Sequence, residues 1–236
     1  MNQILITEKI YITRTLRKKK KIYQVIFIIS LVIVTILTGY YINTEYEQRK
    51  GESVSKDILK SYESLKDTTI VKDDVLVVAL NENVSQVPVE EIEDPISAVY
   101  TAQGMQYTVD SVLNIPSLEI KYPVLSETSD ALLKISLTKF WGGSANSVGN
   151  YCIVGHNYDG KDIFFGKLNR IKNGDLVQLE DRLGRTVNYK VYNSYIVDPT
   201  DVSCTSQLTN GKKEVTLITC SDGGRTRLVV KCREVE

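Results

Sequence analysis

The chain holds one histidine, His156, and four cysteines. One cysteine, Cys220, closes the run Val215-Thr-Leu-Ile-Thr-Cys220, and Arg227 follows it shortly after. A thiol becomes a nucleophile when a base takes its proton, and its attack on a carbonyl needs a cation or an N–H donor to hold the oxyanion. His156 is the one imidazole available as base, and Arg227 can serve as donor. Together the three residue types suit acyl transfer through a thioester. Cys220 would attack a carbonyl, with His156 taking the thiol proton and passing it to the leaving group. Asp159 is the one carboxylate close to His156 in sequence, so the reading is a dyad plus an arginine, with no metal and no cofactor.

Strands must carry these groups. Val215 to Cys220 is β-branched and apolar up to its last residue, as expected of a buried strand with a thiol at its C-terminal end. Gly223-Gly224 marks a turn, after which Arg227 to Cys232 returns antiparallel and keeps Arg227 near Cys220. His156 likewise ends an apolar run, Tyr151-Cys-Ile-Val-Gly155, ahead of the polar turn Asn157-Tyr158-Asp159-Gly160. Further strand signals lie at Tyr107 to Ile115, Ile120 to Val124, Leu176 to Glu180 and Thr186 to Val197, with a short helix at Ser129 to Leu137. Many short strands at this spacing predict a mainly β protein built as a closed or nearly closed barrel.

Four pieces in order, Leu113-Asn-Ile-Pro-Ser-Leu-Glu-Ile-Lys-Tyr-Pro-Val124, Gly149-Asn-Tyr-Cys-Ile-Val-Gly-His156, Thr216-Leu-Ile-Thr-Cys220 and Arg227-Leu-Val-Val230, give the chain its likeness to a known family. Over roughly Gln106 to Glu236 it resembles the sortases, membrane-anchored cysteine transpeptidases of Gram-positive bacteria. The resemblance implies an eight-stranded β-barrel and assigns His156, Cys220 and Arg227 to the family's catalytic histidine, cysteine and arginine. Arg225 is a rival for Arg227, but the apolar strand that follows Arg227 directly fits the family pattern better. As partners it implies surface proteins with a C-terminal Leu-Pro-x-Thr-Gly-like sorting signal, cut between Thr and Gly. The acceptor it implies is an amine of a lipid II-like peptidoglycan precursor. Class B sortases carry a long helix between their sixth and seventh strands, whereas here Asp198 to Glu214 is polar with no clear helix. The subclass expected is therefore class D or E-like, with class B next.

The chain of 236 residues, 42% hydrophobic, suffices for one good-sized domain plus an anchor. Ile22 to Ile42 carries no charge, and at about 1.5 Å per residue it spans roughly 30 Å of hydrocarbon. Arg14, Arg17 and Lys18 to Lys21 precede it and Glu45 and Glu47 follow, which predicts a single-pass anchor with the N-terminus cytoplasmic and the catalytic part extracellular. The apolar run is longer than a signal-peptide core and ends without a small-residue cleavage site, so the anchor is expected to be uncleaved. The domain organisation expected is a basic cytoplasmic segment (1–21), a transmembrane anchor (22–42), a stalk (43–105) and the catalytic domain (106–236). Within the stalk, Ile58, Leu59, Tyr62 and Leu65 fall at helical spacing, predicting a short amphipathic helix over Gly51 to Asp67. The acidic stretch through Asp94 reads as linker. Asp94-Pro95 lacks the aromatic residue that follows such a pair in lid-bearing pilin-type sortases, Ile96 standing there instead.

Other readings predict other patterns. Papain-like peptidases and cell-wall amidases place the cysteine before the histidine, and an L,D-transpeptidase places its histidine two positions ahead of the cysteine; neither order is present. A membrane-tethered, non-catalytic β-barrel adhesion or scaffold module predicts that Cys220 is dispensable. Because Cys220 must stay reduced, a disulfide could involve only Cys152, Cys204 and Cys232, and free thiols are the expectation. Nothing in the charge pattern suggests nucleic-acid binding.

Overall fold

The structure is a computed structural model that describes residues 14–76, 100–102, 105–158 and 160–235. The Asp94-Pro95 pair, most of the acidic linker and Asp159 lie outside them. Two compact units divide the chain, Met1–Glu47 and Gln48–Glu236.

Helix α1 runs over Arg14–Leu76 without a break. The amphipathic helix expected over Gly51 to Asp67 lies within it, in a helix longer than expected. No proline interrupts the segment, and an isolated glycine costs only about 1 kcal/mol in a helix. In the first unit the apolar side chains from Ile22 to Ile42 are exposed, and this helix is long and apolar enough to cross a membrane.

In the second unit α1 is amphipathic. Ile58 and Tyr62 pack with Val109, Val112, Leu125, Leu132 and Ile135 in one cluster, each such burial worth about 1.5–3 kcal/mol. Polar contacts fix the register: Ser55 bonds Ser136 at 2.9 Å, the Tyr62 hydroxyl donates to the Asp181 carbonyl, and Lys66 pairs with Glu180. Gly51 is needed here, because a Cβ would meet the carbonyl oxygen of Lys134.

A small hairpin, β1 (Tyr100–Ala102) and β2 (Met105–Tyr107), precedes the barrel. The barrel strands are β3 (Val109–Ile115), β4 (Ile120–Leu125), β5 (Leu137–Trp141), β6 (Gly149–Val154), β7 (Leu176–Asp181), β8 (Thr186–Val197), β9 (Lys213–Ser221) and β10 (Thr226–Glu234). They close in the order β10-β8-β7-β3-β4-β5-β6-β9, the mainly β, closed eight-stranded barrel expected. β4 with β5 and β6 with β9 pair in parallel, and the other seams are antiparallel.

The sequence reading missed β5. Helix α2 covers only Asp130–Leu133, capped by the Ser129 side chain accepting from Leu132 N, and the chain turns before Leu137 into a strand. β5 shows no clean alternation because Phe140 and Trp141 face solvent, so its local pattern resembles the tail of a helix. Tertiary pairing with β4 and β6 decides it. The continuous strand expected from Tyr107 is likewise divided at Thr108 between β2 and β3.

Candidate active site

Cys220 and Arg227 owe their juxtaposition to the β9–β10 turn. Asp222, Gly223 and Gly224 all hold positive φ, at 49°, 62° and 91°, which glycine tolerates and other residues resist. The turn sets Arg227 directly opposite Cys220 in the antiparallel ladder, and opposed residues project on the same face of a sheet. The Arg227 guanidinium donates to the carbonyls of Gly224 and Thr226 at 2.9 and 3.0 Å. Arg225 instead sits on the exposed turn, ion-paired with Asp222 at 2.7 Å.

His156 arrives on a different strand. β6 runs parallel to β9 and their register ends at Val154 opposite Ile218, so two residues further along each chain His156 comes level with Cys220. The chains stay together past the last strand pair. Gly155 N donates to Ile218 O at 3.3 Å, and the Thr219 hydroxyl donates to Gly155 O at 2.8 Å. A Cβ on Gly155 would strike Leu137 and the Phe165 ring. The His156 carbonyl accepts from Phe165 N, and its ring lies 5.3 Å from that of Tyr158. Burial draws the His156 pKa below its ordinary 6.5; Asp130 opposes this and Lys134 adds to it. The imidazole is therefore neutral at neutral pH, the form that can accept a thiol proton.

The parity of the strands fixes which side of the barrel carries the site. Val215 and Leu217 point into the main core, whereas Ile218 belongs to an outer cluster with Cys204 and Val229, joined by Val154, Tyr195 and Val197. Cys220 shares the parity of Ile218, and Arg227 that of Val229, so the pair lies on the outer wall. Between Lys231 and Cys232 the β10–β8 register shifts. This irregularity turns Tyr195 and Val197 outward, although Tyr189 and Val191 on the same strand face the core, as a bulge does. An apolar outer surface thereby borders the thiol.

All four cysteines are free thiols. Burial pushes the Cys152 thiol up to about 12 and raises those of Cys204 and Cys232, which keeps them protonated. Cys220 is only half-buried.

Sequence reasoning treats Asn157 as a turn residue, yet its side chain donates to the Cys220 carbonyl at 2.8 Å. No local signal marks that contact, because it spans two strands. Nor does sequence connect Asp130 with His156. By register Cys220, Arg227 and His156 come level at one end of the β6, β9 and β10 strands, and a thiol, an imidazole and a guanidinium are the residue types that a cysteine acyl-transfer site would need.

The chain belongs to the sortase family: the Sortase domain model matches residues 113–235. Among relatives, it is 25% identical to "Sortase A" of Bacillus anthracis over 205 residues, covering 86% of this chain and 88% of that one. Its fold is similar to that of sortase A from Corynebacterium diphtheriae, with a TM-score of 0.51 and 24% identity over 55% of this chain and 62% of that one. A Clostridium perfringens Sortase D5 transpeptidase gives a TM-score of 0.55 at 17% identity, over 78% of this chain and 100% of that one. Family membership supports a cell-wall transpeptidase activity in general terms, and the apolar helix fits a single-pass membrane anchor.

Proposed function

We propose that the chain is a membrane-anchored cysteine transpeptidase in which Cys220 is the nucleophile, His156 the acid and base, and Arg227 the cation that holds the substrate carbonyl or its oxyanion. The observation that carries this reading is the register: Arg227 is the cross-strand partner of Cys220, and the β6–β9 pairing runs His156 up to the same level. His156 accepts the thiol proton as sulfur adds to the scissile carbonyl. It returns that proton to the departing amine as the C–N bond breaks, leaving a thioester on Cys220. An incoming amine loses a proton to His156, attacks the thioester and restores the thiol. Arg227, with the backbone N–H after Cys220, stabilises the charge in both steps.

The substrates in this reading are surface proteins with a Leu-Pro-x-Thr-Gly-like signal cut between Thr and Gly, and the acceptor is an amine of a lipid II-like cell-wall precursor. The basic residues ahead of Ile22 and the acidic ones after Ile42 favour a cytoplasmic N-terminus and an extracellular catalytic domain. The segment from Asp198 to Lys212 holds one short 3-10 helix, Ser203–Thr205, and no long helix, which supports a class D or E-like enzyme ahead of class B.

The test is cleavage of quenched fluorescent peptides carrying Leu-Pro-x-Thr-Gly, Asn-Pro-x-Thr-Asn and related signals by the full chain in detergent, beside Cys220→Ala. Cleavage by the wild type, abolished in a folded Cys220→Ala protein, is the expected result. Equal activity in Cys220→Ala rules the reading out.

A further inference from the structure

Parallel pairing between β6 and β9 stops at Val154 and Ile218, yet the reactive groups assigned above stand two residues beyond. The separation of His156 from Cys220 therefore depends on whatever holds the two chains past the end of the sheet. Two side chains do so. The Thr219 hydroxyl reaches from β9 to the carbonyl of Gly155, and the Asn157 amide reaches back to the carbonyl of Cys220. One donor comes from each strand, and the two bonds bracket His156 on one chain and join the residues at and before the thiol on the other.

Asn157 is itself held in place. It forms an isolated antiparallel bridge with Phe164, whose φ of 49° is strained for an aromatic residue. Phe164 and Phe165 are buried, and Phe165 N is bonded to the carbonyl of His156. The loop is thus anchored in the core while its Asn157 side chain points at β9. The Asn157 Oδ1 is buried with no hydrogen-bond partner among the described residues, and a buried acceptor without a partner loses the hydration it would have in the unfolded chain. Turning the amide over would set Oδ1 against the Cys220 carbonyl, two acceptors face to face, so the Nδ2 contact fixes its orientation.

We infer that Asn157 is a positioning residue: its amide clasps the backbone of Cys220 to the loop that carries His156 and so sets the distance between thiol and imidazole. This rests on the transpeptidase reading for its consequence in turnover, but the clasp itself has a readout that needs no substrate. A displacement of about 1 Å between reacting groups can cost about 10²-fold in rate. Loss of the clasp accordingly lowers kcat by about 10–100-fold with KM within about threefold.

The experiment compares the full chain in detergent with Asn157→Ala and with Asn157→Asp, which keeps the size of the side chain but has no amide N–H to donate at neutral pH. Peptide cleavage gives kcat and KM per folded molecule, the folded fraction being read from circular dichroism. In parallel, iodoacetamide alkylation of Cys220 is followed against pH by peptide mass, with His156→Ala as reference. The expected result is a kcat loss in both variants and an alkylation profile that moves toward that of His156→Ala. A kcat within threefold of wild type in either variant, or a wild-type alkylation profile in both, overturns the inference. Wild-type protein silent on every peptide counts against the transpeptidase reading alone, and the alkylation profiles then decide the clasp. If Asn157→Ala yields no folded protein, the isosteric Asn157→Asp decides by the same criteria.

Discussion

Strand β6 carries an asparagine near each end, and the two live in opposite circumstances. At the start, Asn150 is fully engaged: its Nδ2 donates to the carbonyls of Cys204 and Ser206, and its Oδ1 accepts from Thr216 at 2.6 Å. Its backbone N–H and carbonyl are both taken by Gln207, and Lys231 adds bonds to Thr216 and to the Cys204 carbonyl. Beyond the other end, the Asn157 side chain donates to the Cys220 carbonyl and its Oδ1 has no partner among the described residues, beside a partly buried histidine. The first end is built like a structural joint, with every polar group answered. At the second, one unmet acceptor stands beside the residues proposed to react, and such sites are where stability is commonly given up for chemistry.

Substitutions at both ends and a change of pH can break or sharpen that contrast. The largest effect is expected of His156→Ala, which removes the one imidazole. Peptide cleavage should fall toward the upper end of the roughly 10²–10⁴-fold typical of general acid–base groups, with the thermal melt unchanged, and a fully active variant would refute the base assignment. Arg227→Ala comes next, expected to lower kcat by about 10²–10³-fold, as loss of an oxyanion donor does. Arg225→Ala, which breaks only an exposed ion pair, should stay near wild type; a reversal of the two would exchange their roles.

Asn150→Ala attacks the other end. It strands buried partners at about 1–3 kcal/mol each, so a melting temperature lower by about 5–10 °C is expected at about 2–4 °C per kcal/mol for a domain of this size. Catalysis per folded molecule should be preserved. Loss of kcat without loss of stability would erase the distinction between the two ends.

The smallest effect is the pH dependence of His156. Its folded pKa lies below the ordinary 6.5, so the acid limb of kcat/KM should fall below that value. The sign for stability follows: as pH drops through 6.5 the unfolded chain takes up a proton that the folded chain resists, and stability declines. Denaturant melts between about pH 5 and 7 check this, and His156→Gln should flatten the slope.

A mainly β barrel is legible in the sequence, eight strands being what the family resemblance implies, and the strands that carry Cys220, His156 and Arg227 are announced locally. Val215 to Cys220 is a β-branched and apolar run that ends in a thiol, Tyr151 to Gly155 is one that His156 follows, and Gly223-Gly224 declares the turn that brings Arg227 back. What stays hidden is whatever depends on a distant segment. β5 looks like a helix tail until β4 and β6 flank it. Ile58 and Tyr62 are readable as one face of a helix, but not the Val109 to Ile135 surface that receives them. The outward turn of Tyr195 and Val197 rests on a register shift against β10, for which Thr186 to Val197 has no sequence mark. Asn157 resembles any turn asparagine until the Cys220 carbonyl is set before it.

The parallel seam between β6 and β9 also governs when the site comes into being. Parallel neighbours cannot be joined by a tight hairpin, and here β7, β8 and the long connection to β9 all intervene. Contacts so distant in sequence form late in folding, after the loop entropy between them has been spent. Cys220 is joined to Arg227 through a local hairpin, whereas it comes level with His156 only through the pairing of β6 with β9. On the proposed assignment, an incomplete chain, whether still emerging during synthesis or opened by a protease between β6 and β9, would carry the thiol without its base, and reactivity would wait until the architecture is whole.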